Sequence, residues 1–131
     1  GDADFIGAAR KNRKMVGGGM RQAGILASAG IVALTEMVDR LADDHANAHR
    51  LAEGIAELPG VEIDPATVRT NIVIFSFRRE GMTPKDLEES LAQKCVLLFA
   101  IGGPRLRAVT HYGIESSDIN TAWSACQPVL S

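Results

Sequence analysis

An α+β fold is predicted by three features of the sequence. Helix-period segments occupy the first 58 residues, short β-branched runs alternate with two further helical segments after them, and no repeat or linker interrupts the chain. The expected architecture is a small, mainly antiparallel sheet of roughly three or four strands with helices covering one face. The chain has 131 residues, 46% of them hydrophobic and 23% charged, which excludes global disorder. Fourteen basic against sixteen acidic residues leave a net charge of −2, without the basic excess that nucleic-acid phosphates demand. No apolar run approaches the roughly 18–20 residues of a membrane span, so neither nucleic acid nor membrane is an expected partner.

Residues 2–15 set Phe5, Ile6, Ala9 and Met15 among Arg10, Lys11, Arg13 and Lys14, a helix with Asp2 or Asp4 near its N-terminus. Gly17-Gly18-Gly19 then makes continued helix costly. Residues 20–37 read as a second helix. Its small residues (Ala23, Gly24, Ala27, Ala29, Gly30, Ala33) permit close backbone approach, and Ile25, Leu26, Ile31, Val32 and Leu34 are large and apolar. Such a helix is expected to be buried on most sides and to touch another domain or subunit. Residues 38–58 form an amphipathic helix with Leu41, His45, Ala48, Ala52, Ile55 and Leu58 on its apolar stripe, ended by Pro59-Gly60.

Strands follow. Val61-Glu62-Ile63 alternates, and residues 71–77 (NIVIFSF) are β-branched and aromatic. Thr83 is the expected N-cap, and Pro84 the first residue, of a helix running to Gln93. Residues 96–100 are a predicted strand, Gly102-Gly103-Pro104 a turn, and residues 106–110 another strand. Arg105 and Arg107 share one side of it, Leu106 and Ala108 the other. Ser116 or Ser117 is expected to cap a last helix over residues 118–129.

Four features could carry chemistry. The glycine run Gly17, Gly18, Gly19, read as ending at a helix start and flanked by Arg13, Lys14 and Arg21, would offer backbone N–H groups and cations to an anion such as a phosphate. The other reading is a flexible turn with solvated charges; no P-loop lysine follows the glycines. His45 and His49, four residues apart, have metal-ligand spacing, but Ala-Asn-Ala between them supplies no base, so they are read as a packed or solvated helix surface and no metal is expected. Arg107 at a strand end suits bidentate carboxylate binding, with a plain surface residue as the alternative. Cys95 and Cys126 are too few for a disulfide framework and are read as buried, reduced thiols of a cytoplasmic protein.

The stretch Arg13-Lys14-Met15-Val16-Gly17-Gly18-Gly19-Met20-Arg21-Gln22-Ala23-Gly24 resembles the signature of the low-specificity L-threonine aldolases, fold-type I pyridoxal-phosphate (PLP) enzymes grouped with the β-eliminating lyases. Asp44-His45-Ala46-Asn47-Ala48, Thr70-Asn71-Ile72-Val73 and Arg107-Ala108-Val109-Thr110-His111 resemble the same family in the same order. The resemblance implies a homotetrameric, PLP-dependent aldehyde-lyase that cleaves L-threonine or L-allo-threonine to glycine and acetaldehyde. It implies that Arg107 grips the substrate α-carboxylate. Lys14 and Arg21 are implied to lie near the cofactor across a subunit interface, with the partner of the PLP phosphate left open between them. It gives His45 and His111 no catalytic part.

The family's Schiff-base lysine precedes the GGGMRQ motif in a Ser-x-x-Lys-like setting, which Lys11, Lys14, Lys85 and Lys94 do not share. With the start at Gly1, the expectation is a C-terminal portion, inactive alone: residues 1–35 a helical segment leading out of a PLP-binding large domain, residues 36–131 the small C-terminal domain. The alternatives are a non-catalytic oligomerisation or interaction module using residues 20–37, and another fold-type I amino-acid lyase.

Overall fold

The computed structural model describes residues 1–130 and divides into two compact units, Gly1–Val38 and a second that begins at Asp39. In the first unit, helix α1 (Ala3–Met15) starts at Asp2, whose carboxylate accepts the Phe5 N–H at 2.8 Å. Its end is a left-handed cap. Gly17 sits at φ +82°, its N–H donates to the Lys14 carbonyl at 3.3 Å, and the Gly18 N–H donates to the Arg13 carbonyl at 2.8 Å. Helix α2 (Gly24–Glu36) begins later than the apolar pattern predicts, because Gln22 adopts φ +50°, which a right-handed helix does not accommodate. The expected burial of this helix is not found within the chain: no residue of α2 is buried, and Ile25 is 77% exposed. Two helices and a glycine turn are too little to enclose a helix that is apolar all round.

The second unit is α3 (Leu41–Ala56), β1 (Val61–Glu62), a 3-10 turn at Pro65–Thr67, β2 (Ile72–Phe77), α4 (Pro84–Ala92), β3 (Phe99–Ala100), β4 (Arg105–Val109) and α5 (Ser116–Leu130). The strands form one antiparallel sheet of order β1-β2-β4-β3. Strand alternation sends Val73, Phe75, Phe77 and Leu106 into a core with Ala52 and Ile55 of α3, Leu87 and Leu91 of α4, and Ile119 and Cys126 of α5. The helices therefore cover one face. The other face leaves Ile72, Ile74, Phe99 and Val109 exposed around Arg105 and Arg107. This is the α+β arrangement the sequence predicts.

Local chemistry explains both agreements and departures. Thr83 closes a capping box on α4: its hydroxyl accepts the Asp86 N–H at 3.2 Å and the Asp86 carboxylate accepts the Thr83 N–H at 2.8 Å. The buried stripe of α3 runs through Asp44, Asn47, Ala48, Leu51, Ala52 and Ile55, whereas Leu41 and His45 are exposed. Two hydrogen-bonded polar residues hold the core side of its first turns, so hydropathy alone places the stripe one step around the helix. The strand predicted over residues 96–100 contracts to β3. Cys95 takes φ +61° and the Val96 N–H returns to the Leu91 carbonyl at 3.0 Å, a helix cap that consumes the strand's first residues. Cys95 is accordingly exposed, while Cys126 is buried as expected. Helix α5 already includes Ser116 and Ser117; the Asp118 carboxylate accepts the Glu115 N–H at 2.8 Å ahead of it.

Candidate functional site

Arg107 lies mid-strand on β4, on the sheet face free of helices. The register places Ile74 of β2 opposite it on one side and Phe99 of β3 on the other. Its guanidinium lies 6.0 Å from the Phe99 ring centroid. Ile72 and Val109 pair on the neighbouring rung and extend the apolar surface. Among the described residues, no carboxylate forms an ion pair with Arg107. A planar cation on an apolar surface, without an internal counter-charge, is disposed to take an external carboxylate in a two-pronged hydrogen bond.

Lys14, Gly17, Gly18, Gly19 and Arg21 belong to the first unit. The glycine run closes α1 rather than opening a helix, and the amides of Gly17 and Gly18 are spent on its last carbonyls. The amides of Gly17 and Gly18 are therefore not free for an anion, which would meet the flanking basic side chains here. The Lys14 side chain lies over Gly19: a Cβ there would stand 3.2 Å from Lys14 Cδ and 3.4 Å from its Nζ. A Cβ at position 18 would stand 2.6 Å from the Arg13 Cγ and 3.0 Å from its carbonyl oxygen, so a side chain there would have to displace Arg13. Neither Lys14 nor Arg21 has an ion-pair partner among the described residues.

The stretches around Asp44, Asn71 and Thr110 converge just beyond the end of β4, where the sequence offered no reason to join them. The Thr110 hydroxyl donates to the Asp44 carbonyl at 2.6 Å. The Thr110 N–H donates to the Asn71 carbonyl at 3.0 Å, and Asn71 Nδ2 donates back to the Thr110 carbonyl at 2.7 Å. Asn47 Nδ2 donates to the Ile114 carbonyl at 3.0 Å, tying α3 to the loop that follows. Arg40 forks onto the buried Asp44 carboxylate, Nη1 to Oδ2 at 3.0 Å, and lies 5.1 Å from the Tyr112 ring centroid. The Asp44 hydrogen bond holds the Arg40 pKa above its ordinary value. This clamp fixes the strand end three residues beyond Arg107. Its one legible signal was polar residues inside apolar segments, each of which must be paired if buried.

The histidines do not assemble into a site. His45 is exposed, His49 Nδ1 lies 3.5 Å from Glu53 Oε1, and His111 Nδ1 lies 2.8 Å from the Tyr112 carbonyl oxygen. Among the described residues, no three His, Cys, Asp or Glu side chains are grouped to hold a metal ion, and no helix is long and apolar enough to cross a membrane.

An exposed arginine without an ion-pair partner among the described residues stands on the open face of a small antiparallel sheet, in a chain whose helical first segment carries a basic glycine turn. The chain belongs to the beta-eliminating lyase family, whose profile matches residues 1–78. It is 37% identical over 132 residues to low-specificity L-threonine aldolase 1 of Arabidopsis thaliana, a match covering 99% of this chain and 37% of that protein. It is 38% identical over 128 residues to the low specificity L-threonine aldolase of Escherichia coli K12, covering 95% of this chain and 36% of that protein. The chain thus spans a little over a third of the length of these relatives. Among solved structures, MppP soaked with the product 2-ketoarginine shares the fold, with a TM-score of 0.58 and 16% identity over 76% of this chain and 30% of that one.

Proposed function

We propose that the chain is the C-terminal part of a PLP-dependent aldolase that cleaves L-threonine or L-allo-threonine to glycine and acetaldehyde. Residues 1–35 would lead out of a PLP-binding large domain and residues 36–131 would form the small domain. The observation that carries the reading is Arg107, an arginine on the open sheet face without an ion-pair partner among the described residues. It sits within the RAVTH stretch of a chain similar along nearly its whole length to threonine aldolases.

Arg107 binds the substrate α-carboxylate through two charge-assisted hydrogen bonds and so fixes the orientation of the Cα–Cβ bond. In the reaction that bond breaks, its electron pair stays on Cα, the β-hydroxyl loses its proton as acetaldehyde forms, and Cα is protonated to give glycine. PLP, when bound, supplies the electron sink for the charge at Cα. The first unit fits the cofactor's phosphate: Lys14 holds its ammonium over Gly19 in a space a Cβ would narrow, and Arg21 follows in the same turn. Both act at the cofactor site of a neighbouring subunit in a homotetramer. None of Lys11, Lys14, Lys85 and Lys94 is in the setting of a Schiff-base lysine, so the chain alone is expected to be inactive. The exposed apolar surface of α2 favours a second reading, a non-catalytic oligomerisation module, and fits equally an interface of the whole enzyme.

The test is the full-length protein in a coupled acetaldehyde assay with L-threonine. Losing two charge-assisted hydrogen bonds in Arg107→Ala, about 3 kcal/mol together, should raise the KM for the amino acid about a hundredfold, with cofactor affinity nearly unchanged. No acetaldehyde from the PLP-loaded parent overturns the aldolase reading, and an unchanged KM in the variant overturns the assignment of Arg107.

A further inference from the structure

We infer that Phe99 is a positioning residue for Arg107, fixing the guanidinium from the edge strand so that it meets the substrate carboxylate already aligned. The inference rests on the carboxylate-binding reading of Arg107 given above.

Three observations carry it. Phe99 and Arg107 are direct cross-strand partners, so their side chains rise from the same sheet face at neighbouring positions, and the guanidinium lies over the aromatic ring at 6.0 Å. Phe99 has no task in the core: it is 57% exposed, while its neighbour Leu98 is buried and packs inside. A large aromatic left on an open sheet face, beside a cation without an ion-pair partner among the described residues, is placed to order that cation. Third, β3 has only two residues and would fray alone, yet it is held from outside the sheet. The half-buried Glu88 of α4 accepts the Ala100 N–H through Oε2 at 2.8 Å, and its Oε1 takes the Lys85 ammonium at 2.7 Å. The Ile101 N–H returns to the Arg105 carbonyl at 2.9 Å.

The physical benefit is preorganisation. A free arginine side chain samples many rotamers, and immobilising it on binding costs affinity. An aromatic ring is rigid, with two side-chain torsions, and attracts the cation through its face without neutralising it. A carboxylate in the same place would neutralise Arg107 and compete with substrate. Ile74 closes the other flank and offers no polar atom to divert the guanidinium. Glu88 thus acts on Arg107 at two removes, through Ala100 and Phe99.

The experiment uses the full-length, PLP-loaded protein and compares Phe99→Leu, Phe99→Tyr, Glu88→Gln and Arg107→Ala. Phe99→Leu keeps the bulk and loses the ring; it should raise the KM for L-threonine about two- to fivefold, with kcat and cofactor affinity changed less. Phe99→Tyr should restore the parent KM. Glu88→Gln should shift KM in the same direction by less. In the Arg107→Ala background, Phe99→Leu should have no further effect. If Arg107→Ala raises KM and Phe99→Leu does not, the positioning role is overturned and the carboxylate reading stands. A Phe99→Leu effect of the same size with and without Arg107 also overturns it, since the ring would then act elsewhere. If Arg107→Ala itself leaves KM unchanged, the carboxylate reading fails and this inference falls with it.

Discussion

Replacing Thr110 by valine tests how the end of β4 is held. Thr110 is 2% exposed, and its hydroxyl donates to the Asp44 carbonyl at 2.6 Å. Valine removes that hydrogen bond, worth about 1 kcal/mol net. It also sets a methyl group where the hydroxyl stood, too near a carbonyl oxygen for a carbon atom, and the displacement adds about another 1 kcal/mol. Thr110→Ser keeps the hydroxyl and loses one methyl, about 1 kcal/mol. The expected order is therefore parent, then serine, then valine, with valine about 2 kcal/mol below the parent. In urea titrations of a small domain, with a slope of about 1.5 kcal/mol per molar, the valine midpoint should fall by roughly 1.3 M. Its thermal midpoint should fall by about 10 °C. Circular dichroism and tryptophan fluorescence report both, because Trp123 is anchored to α3 by its indole N–H donating to the Gly54 carbonyl at 3.1 Å. A valine variant as stable as the parent, with serine the worse of the two, would show that the methyl packing matters and the hydrogen bond to α3 does not.

Two further outcomes follow from the cysteines. Cys95 occupies the left-handed position of the α4 cap at φ +61°, exposed to solvent, so Cys95→Gly should stabilise the chain by about 0.5–1 kcal/mol in the same urea titration; a loss of stability would mean the thiol makes a contact stronger than the strain. Burial pushes the Cys126 thiol up to about 11, above its unfolded value, so the folded state holds the proton more tightly. The resulting stability is complete below the unfolded value and is lost as pH rises toward 11. A thiol reagent at pH 8 should accordingly titrate Cys95 rapidly and Cys126 only in denaturant; two rapid thiols would refute the burial of Cys126.

Much of the fold was legible in the sequence because the signals are local. Asp2 and Thr83 cap helices from within three residues, the alternation in residues 71–77 sorts Val73, Phe75 and Phe77 from Ile72 and Ile74, and Gly17 ends α1 by its own backbone freedom. The departures arise where hydropathy does not report a polar pairing or a helix cap. Asp44 and Asn47 turn the buried stripe of α3 away from Leu41 and His45, because Arg40 pairs the Asp44 carboxylate and the Ile114 carbonyl accepts the Asn47 amide, so both polar side chains can be buried there. Residues 96–100 have strand composition, yet the cap at Cys95 takes the first of them.

The same division holds at the site. By itself the sequence determined that Arg107 and Arg105 share one side of a strand, that a basic segment surrounds a glycine run, and that four stretches resemble one family of enzymes. Those properties depend on residue type and spacing along the chain. Only the tertiary structure decided that Phe99 and Ile74 flank Arg107, since strand register sets cross-strand neighbours. It alone joined Thr110 to Asp44, 66 positions away, and to Asn71, 39 positions away. It also decided that the amides of Gly17 and Gly18 serve the end of α1. Hydrogen bonds and cation–π contacts act over a few ångströms of space, and separation along the chain does not report that distance.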